Sequence, residues 1–276
     1  MIAELFKSLL YGIVEGITEW LPISSTGHLI LLNQFVTLNV SPAFWEMFEV
    51  VIQLGAILAV VVLFFHRLNP FSPQKSSAQK RDTWDLWFRV LVGVIPSAAA
   101  GFFLDDWFNA HLFNYITVSI ALIVYGILFI VIENGRRGHT ARIRTTSDIT
   151  YLTAFAIGLF QMLSLVPGTS RSGSTILGAM LIGSSRTAAA EFSFFMAIPT
   201  MLGASLLKAA KFVMGGNAMT GQEILILLVG CLTAFLVSMV TIKGLMEYVK
   251  RHSFSAFGIY RILLGLVVLI YYLCAE

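Results

Sequence analysis

Charged residues are scarce in this 276-residue chain, where Asp, Glu, Lys and Arg make up only 12% of the sequence. Soluble domains are typically about 25% charged, so this composition excludes an ordinary cytosolic enzyme. Cysteine is scarce as well, and 2 residues are too few for a disulfide-rich scaffold. The sequence has no basic run interleaved with aromatics, which excludes a nucleic-acid partner. Because 57% of the residues are hydrophobic, disorder is excluded too, and the composition predicts an integral membrane protein.

Long apolar runs are abundant. A helix needs about 20 mostly apolar residues to cross the hydrocarbon core of a bilayer. Six segments meet this requirement, and they are residues 47–65, 86–104, 113–132, 188–207, 224–242 and 256–274. The sequence therefore predicts an all-α polytopic protein with six transmembrane helices.

Two further apolar regions are interrupted by polar residues. Residues 1–38 are broken at Pro22 by PISSTGH, and residues 151–185 are broken at Pro167 by PGTSRSGST. Irregular backbone at membrane depth is stable only where it is buried in protein or lines a wet cavity. Each region is therefore predicted to form a re-entrant helical hairpin that enters and leaves by the same side.

The distribution of positive charge predicts the orientation. The connections after the first, third and fifth spans carry Arg67, Lys75, Lys80, Arg81, Arg89, Arg136, Arg137, Arg142, Arg144, Lys243, Lys250 and Arg251. The other connections contain only Lys208 and Lys211. Since positively charged connections stay in the cytoplasm, both termini are predicted to face the outer side of the membrane.

The order of the segments predicts an internal repeat. The chain forms one membrane domain, residues 1–276, whose halves are residues 1–135 and 145–276. Each half contains one hairpin followed by three spans. Because three is odd, the first hairpin enters from outside and the second from the cytoplasm. Such inverted-topology repeats place their site near the midplane, where discontinuous helices meet.

A short sequence similarity supports this repeat. LPISST aligns with VPGTSR, which pairs Pro22 with Pro167 and Ser25 with Ser170. The similarity gains weight because the two halves also share the same order of segments.

Glu15 and Glu19 form an acidic pair in the first hairpin. An ionisable group at bilayer depth costs on the order of 2.5–3.5 kcal/mol, so it is a candidate functional residue. Residues four apart share a helix face, and two such carboxylates repel unless a cation or a proton lies between them. The pair is a candidate metal site; a wet helix end at the outer interface is the alternative.

Ser24, Ser25, Thr26, Gly27 and His28 follow the first proline. Ser and Thr are favoured helix N-caps, and a helix N-terminus attracts anions. Ser24, Thr26 and Gly27 are therefore candidate phosphate ligands. Ser25 and His28, three apart, suit a hydroxyl nucleophile and its proton carrier. The alternative is a capped helix in which His28 is bonded to a carbonyl.

The second hairpin supplies a positive charge. Arg171 lies among hydroxyl side chains, including Ser170, Ser172 and Thr175. A guanidinium beside hydroxyls and a helix start suits bidentate phosphate binding. Ser170, Ser172 and Thr175 are therefore candidate phosphate ligands beside this arginine. Arg171 can also be a structural partner for one of the glutamates, and the two roles are compatible.

Other polar residues lie inside the predicted spans. Glu49 and Gln53 share one face of the first span, and Glu191 opens the fourth. These residues suit either a supporting role near the site or hydrogen bonds between helices. Arg261, about two turns inside the last span, is expected to extend towards the cytoplasmic headgroups.

The predicted pocket carries too little positive charge to attract a phosphate or a pyrophosphate. With Glu15, Glu19, Arg171 and His28 together, its side-chain charge is −1 or 0, which attracts a pyrophosphate poorly. We therefore predict a divalent cation held by the two glutamates and by phosphate oxygens.

Two long motifs carry a family resemblance. EGITEWLPISSTGH and PGTSRSGST closely resemble the signature stretches of the bacitracin-resistance family of undecaprenyl-pyrophosphate phosphatases, and FEVVIQLGAILAVV and EFSFFMAIPTMLGA are similar to that family as well. The resemblance implies a bacterial inner-membrane enzyme that removes the terminal phosphate of undecaprenyl pyrophosphate. It also implies a requirement for a divalent cation such as magnesium or calcium, and bacitracin resistance on overproduction.

The resemblance also implies site residues. The family's motif positions fall on Glu15, Glu19, Ser25, His28, Ser170, Arg171 and Thr175. In the expected mechanism Ser25 attacks the terminal phosphorus, and His28 or Glu19 takes its proton. Arg171 and the helix starts then stabilise the charge on the phosphoryl oxygens. An alternative keeps Ser25 as a phosphate ligand and uses a cation-bound water as the nucleophile.

A second function class fits the same architecture. A transporter or flippase of polyprenyl phosphate can also be built from inverted repeats with broken helices around an anion site. The paired glutamates and the Ser–His cluster favour chemistry, because transport needs no nucleophile. The site is expected to open outward, with the lipid tail between helices in the outer leaflet. The sequence leaves the oligomeric state open, a homo-oligomer included.

Overall fold

A computed structural model describes residues 1–136 and 138–275; Arg137 and Glu276 lie outside the described residues. The helices, in chain order, are α1 (Ile2–Thr18), α2 (Ser25–Phe35), α3 (Pro42–Val51), α4 (Gln53–Leu63), α5 (Phe65–Leu68), α6 (Ser77–Leu112), α7 (Tyr115–Gly135), α8 (Tyr151–Met162), α9 (Arg171–Ile182), α10 (Arg186–Met214), α11 (Gly221–Arg251) and α12 (Ser255–Ala275). Short 3-10 turns occupy Thr146–Asp148 and Leu163–Leu165. The predicted all-α class is confirmed.

Within the described residues, six helical stretches are long and apolar enough to cross a membrane. They are Pro42–Leu63, Ser77–Leu104, Tyr115–Gly135, Arg186–Met214, Gly221–Arg251 and Ser255–Cys274. Each overlaps one predicted span, so all six predictions are confirmed. Their outward faces carry exposed apolar side chains, such as Val240 and Leu263. Exposed apolar side chains of this kind are typical of residues that face lipid. The chain is therefore a multi-pass membrane protein.

The first interrupted segment folds back on itself. The Lys7 ammonium near the start of α1 donates to the carbonyl of Thr37, 2.7 Å away, just after the end of α2. The Tyr11 hydroxyl donates to the carbonyl of Val36 at 2.6 Å. With 11 residues, α2 is about 17 Å long, too short to cross the hydrocarbon alone. Residues 19–24 form the tip of this helix–loop–helix segment, which we call the first tip.

The second interrupted segment has the same form. The backbone N–H of Ser185, after α9, donates to the carbonyl of Ile143, before α8, at 2.7 Å. The chain therefore enters and leaves this segment at one end, and residues 166–170 form the second tip. The side of the membrane from which each segment enters stays a prediction, as does the assignment of residues 1–135 and 145–276 as inverted repeats.

Each interrupted segment packs against a spanning helix of the other half. Helix α1 lies on α11, and α8 lies on α6. The contacts are close because they use glycine: a Cβ added at Gly12 would lie 2.6 Å from the carbonyl oxygen of Gly230. A Cβ added at Gly158 would overlap the carbonyl of Gly93. This packing fixes the two tips relative to each other inside the protein.

Candidate active site

Two serines with the same strained backbone begin the helices after the tips. Ser24 and Ser170 both have a φ of 74°, and among the described residues no other non-glycine residue has positive φ. Each serine hydroxyl accepts a hydrogen bond from the backbone N–H three residues later. Ser24 therefore corresponds to Ser170, one residue away from the Ser25–Ser170 pairing that the letters suggested. The corrected pairing puts Ser25 and Arg171 at the same position, the first residue of α2 and of α9.

The carboxylate of Glu19 joins the two tips. The Ser25 hydroxyl donates to Glu19 Oε2 at 2.7 Å. The Arg171 guanidinium donates to Glu19 Oε1 from Nη2 at 3.0 Å and from Nε at 3.3 Å. Ser25 and Glu19 are both buried. The predicted convergence of the two interrupted segments is confirmed, because one side chain contacts a hydroxyl from the first and a guanidinium from the second.

Arg171 is held in place from three directions. Besides Glu19, its Nη1 donates to the carbonyl of Ser193 in α10 at 2.8 Å. Its guanidinium also lies over the Trp20 ring, 5.8 Å from the ring centroid. The structural partnership with a glutamate that the sequence left open is therefore present. Ser193 was not identified from the sequence as a partner of Arg171, because the position of a serine within an apolar run does not show which residue it contacts.

Two of the candidate phosphate ligands, Ser172 and Thr175, are hydrogen-bonded within the protein. The Ser172 hydroxyl donates to the carbonyl of Glu19 at 2.9 Å, which ties α9 to the first tip. The Thr175 hydroxyl donates to the carbonyl of Arg171 at 2.9 Å and lies 2.6 Å from the hydroxyl of Ser193. Both side chains are fully buried. Their role as phosphate ligands, like that of Ser170, stays a prediction.

His28 faces groups other than Ser25. Its Nδ1 lies 2.7 Å from the carbonyl oxygen of Ser24, and its Nε2 lies 2.7 Å from the hydroxyl of Tyr260. The two rings are nearly parallel, with centroids 5.6 Å apart. Of the two proton acceptors proposed for Ser25, the structure therefore places Glu19 in contact with the hydroxyl. Bonding of His28 to a carbonyl was the alternative left open by the sequence.

Glu15 lies one turn before Glu19 and is fully buried. Within the described part of the chain, neither of its carboxylate oxygens has a hydrogen-bond partner. An unpaired buried carboxylate is costly, so this position requires a proton or a cation. Among the side chains that the structure describes, no cluster of three or more His, Cys, Asp or Glu residues that could hold a metal ion is present. A cation at Glu15 and Glu19 would therefore take further ligands from phosphate and water, as Mg²⁺ commonly does.

Arg261 does not extend towards the headgroups, so that expectation was wrong. The side chain is fully buried, and it donates to the carbonyls of Pro22 at 3.1 Å, Gly168 at 2.9 Å and Thr169 at 2.9 Å. The irregular backbone of the tips leaves these carbonyls without helical partners, and a buried carbonyl needs a donor. Arg261 supplies that donor to both tips. Its direction could not be predicted from the sequence, because a single arginine inside an apolar run does not show which groups it will contact.

The remaining polar residues lie further out. Thr26 lines a cavity of about 160 Å³ together with Glu49, Gln53 and Lys208. Glu191 instead accepts a hydrogen bond of 2.7 Å from Arg67, which lies in α5 just after the first span. Thr26, Glu49 and Gln53 therefore belong to the surroundings of the tips, whereas Glu191 joins two other elements.

Comparison with known proteins agrees with this geometry. The family described as "Bacitracin resistance protein BacA" matches residues 8–267. A protein from Enterococcus faecalis named undecaprenyl-diphosphatase is 54% identical over 273 residues, which cover 99% of this chain and 99% of the relative. Proteins of the same name from Streptococcus thermophilus and Desulfitobacterium hafniense are each 56% identical; the alignments cover 98% of this chain and 94% and 97% of the relatives. Because the match extends over nearly the whole length and includes both tips, this chain belongs to the bacitracin resistance protein BacA family.

Proposed function

We propose that this chain is an integral membrane phosphatase that hydrolyses undecaprenyl pyrophosphate to undecaprenyl phosphate and inorganic phosphate. Membership of the family and the name shared by relatives of 54% and 56% identity support this activity over the transporter alternative. Hydrolysis would return the lipid carrier to peptidoglycan synthesis. Overproduction is expected to raise bacitracin resistance, because the drug binds the pyrophosphate form.

One structural observation supports a catalysed reaction at this site. The Glu19 carboxylate contacts the Ser25 hydroxyl and the Arg171 guanidinium at the same time. A hydroxyl hydrogen-bonded to a base that is itself oriented by a third group is the usual arrangement of an activated nucleophile. A carrier needs no such arrangement.

The first chemical step belongs to Ser25. Its oxygen attacks the terminal phosphorus, and its proton passes to Glu19 Oε2, which is 2.7 Å away. The bond between this phosphorus and the bridging oxygen breaks, and undecaprenyl phosphate leaves with the electron pair. The terminal phosphoryl group is then bound to Ser25.

The second step restores the enzyme. Glu19 first gives the proton that it took from Ser25 to the departing undecaprenyl phosphate and is ionised again. Water then attacks the phosphorus of the phosphorylated serine, and Glu19 takes a proton from that water. This proton passes to the Ser25 oxygen as its bond to phosphorus breaks, so inorganic phosphate leaves and Ser25 regains its hydroxyl. Through both steps Arg171 and the first backbone N–H groups of α2 and α9 face the negative oxygens. Because the ion pair with Glu19 and the contact with Ser193 already fix the guanidinium, little reorganisation is needed.

Glu15 and Glu19 fit a divalent cation, since both oxygens of Glu15 are buried and unpaired among the described residues. When bound, such an ion would neutralise phosphate charge and orient the pyrophosphate. Mg or Ca suits this oxygen-rich set. His28 holds the carbonyl of Ser24 and so serves as a positioning residue for the first tip in this proposal.

The family of this protein and the distribution of its positive charge support a membrane location and an orientation. We place the protein in the bacterial plasma membrane, the inner membrane of Gram-negative cells, with both termini and the opening of the site on the outer side. The excess of Lys and Arg in alternate connections supports this orientation.

Phosphate release by purified protein tests the function. Wild-type protein in detergent should release inorganic phosphate from undecaprenyl pyrophosphate when Mg²⁺ or Ca²⁺ is present. Arg171→Ala should lower kcat about 10²–10³-fold, as loss of a charge-stabilising donor does. Arg186→Ala is the matched control, because Arg186 pairs with Glu133 away from the site. Wild-type protein without phosphatase activity, or equal activity of the two variants, would contradict the proposal.

A further inference from the structure

An apolar groove lies beside the second tip. It has a volume of about 450 Å³ and is bounded by α6, the 3-10 turn Leu163–Leu165 before the second tip, and α10. Its apolar lining includes Val94, Ala98, Phe102, Leu165, Gly203 and Leu207. Phe102 is 75% exposed and Leu207 is 40% exposed, so one edge of the groove faces the lipid.

The hydroxyl groups along this groove are already bonded within the protein. The amide of Gln161 donates to the hydroxyl of Ser97 and to that of Thr200, the latter at 3.1 Å. The Ser164 hydroxyl donates to the carbonyl of Gln161 at 2.7 Å. The groove therefore offers mainly methyl, methylene and ring surface to an occupant, which suits a hydrocarbon chain.

The groove adjoins a smaller cavity next to the candidate active site. This cavity, of about 160 Å³, is lined by polar groups that include Glu49 and Gln53. Val50 and Lys208 line both spaces. At its inner end the small cavity reaches Thr26, the residue after Ser25. The two cavities therefore lie side by side between the lipid-facing edge of α6 and α10 and the start of α2.

We propose that the groove holds the isoprenoid chain of the pyrophosphate and that Lys208 contacts the phosphate that remains on the lipid. This inference rests on the proposed hydrolysis. With the terminal phosphate at Ser25, the lipid-bound phosphate must lie between Ser25 and the chain, and Lys208 lies where the polar cavity meets the apolar groove. Its ammonium is a compact positive charge of the kind that binds phosphate. Glu49 lines the same cavity.

The groove is tested with Gly203→Leu. A Cβ added at Gly203 meets no atom within 4 Å, so the new side chain narrows the groove without a backbone clash. Gly244→Leu is the control, since a Cβ added there also meets no atom and Gly244 does not line the groove. The measured quantity is the ratio of kcat/KM for undecaprenyl pyrophosphate to that for geranyl pyrophosphate. Gly203→Leu should lower this ratio about tenfold, and Gly244→Leu should not change it. Ala204→Leu, on the same wall, provides a second variant.

Lys208→Gln tests the phosphate contact. Because the lipid-bound phosphate is common to both substrates, KM should rise about 10–100-fold for both, as for the loss of a hydrogen bond to a charged group. Glu49→Gln removes a negative charge from the same cavity and should lower KM. Lys250→Gln, at the far end of α11, is the matched control and should keep the wild-type KM.

The outcomes separate the two proposals. Wild-type protein that releases no phosphate from either substrate overturns the proposed function. If wild-type protein is active and both Gly203→Leu and Ala204→Leu keep the wild-type ratio, the groove does not hold the chain. If Lys208→Gln keeps the wild-type KM, Lys208 does not contact the substrate.

Discussion

Replacement of Arg261 by Met should separate the two tips. Met is unbranched and apolar and cannot donate, so the carbonyls of Pro22, Gly168 and Thr169 lose their hydrogen bonds. A buried carbonyl without a donor costs about 1–3 kcal/mol, so three of them amount to at least about 3 kcal/mol. A displacement of about 1 Å at a catalytic group can cost about 10²-fold in rate. We therefore expect kcat to fall at least about 10²-fold, with a lower unfolding temperature.

Phosphate release and thermal unfolding, measured on the same purified protein, check this expectation. Arg261→Lys should recover part of kcat, because an ammonium can still reach some of the carbonyls. Arg186→Met is the matched control: it removes an arginine whose side chain is 38% exposed and pairs with Glu133, and kcat should stay close to wild type. KM should change little in Arg261→Met, since Arg261 holds the backbone and not the substrate. A wild-type kcat in folded Arg261→Met protein would refute the reasoning.

Three other changes have defined outcomes. Ser25→Ala should abolish turnover, and acid quenching of the wild-type reaction should trap a phosphorylated Ser25 detectable by mass spectrometry; near-normal turnover in Ser25→Ala would exclude the serine nucleophile. Glu15→Gln should raise the Mg²⁺ concentration for half-maximal activity about tenfold or more, measured by titration after exhaustive chelation, and an unchanged requirement would count against the cation site. Gly158→Val forces a side chain against the carbonyl of Gly93 and should lower the unfolding temperature, whereas Gly135→Val, which meets no atom, should not; equal unfolding temperatures would contradict the close packing of α8 on α6.

The spans and the central contact were predictable because each rests on a strong local signal. An uninterrupted apolar run of membrane length is a direct sign of a spanning helix, and all six such runs became helices. Glu19, Ser25 and Arg171 were found because polar groups within apolar surroundings are costly unless they serve a purpose. Their convergence followed from the order of segments, and the contacts of Glu19 with the other two confirm it.

Other features depend on partners that are distant in sequence. His28 is directed away from Ser25 by a carbonyl and by Tyr260, which lies far along the chain. The sequence alignment of the two tips was shifted by one residue. Identical residue types paired Ser25 with Ser170, whereas the shared backbone conformation pairs Ser24 with Ser170. The direction in which a lone buried charge extends is set by which carbonyls remain unpaired, and a single sequence does not contain that information.

The position of Arg261 in the chain has a consequence for biosynthesis. The ribosome makes both tips before it makes α12, which carries the arginine that binds them. While the nascent protein lacks α12, the carbonyls of Pro22, Gly168 and Thr169 lack the donor that Arg261 supplies to both tips. The catalytic centre should therefore mature only after the last helix inserts, which delays enzyme activity until late in translation and insertion.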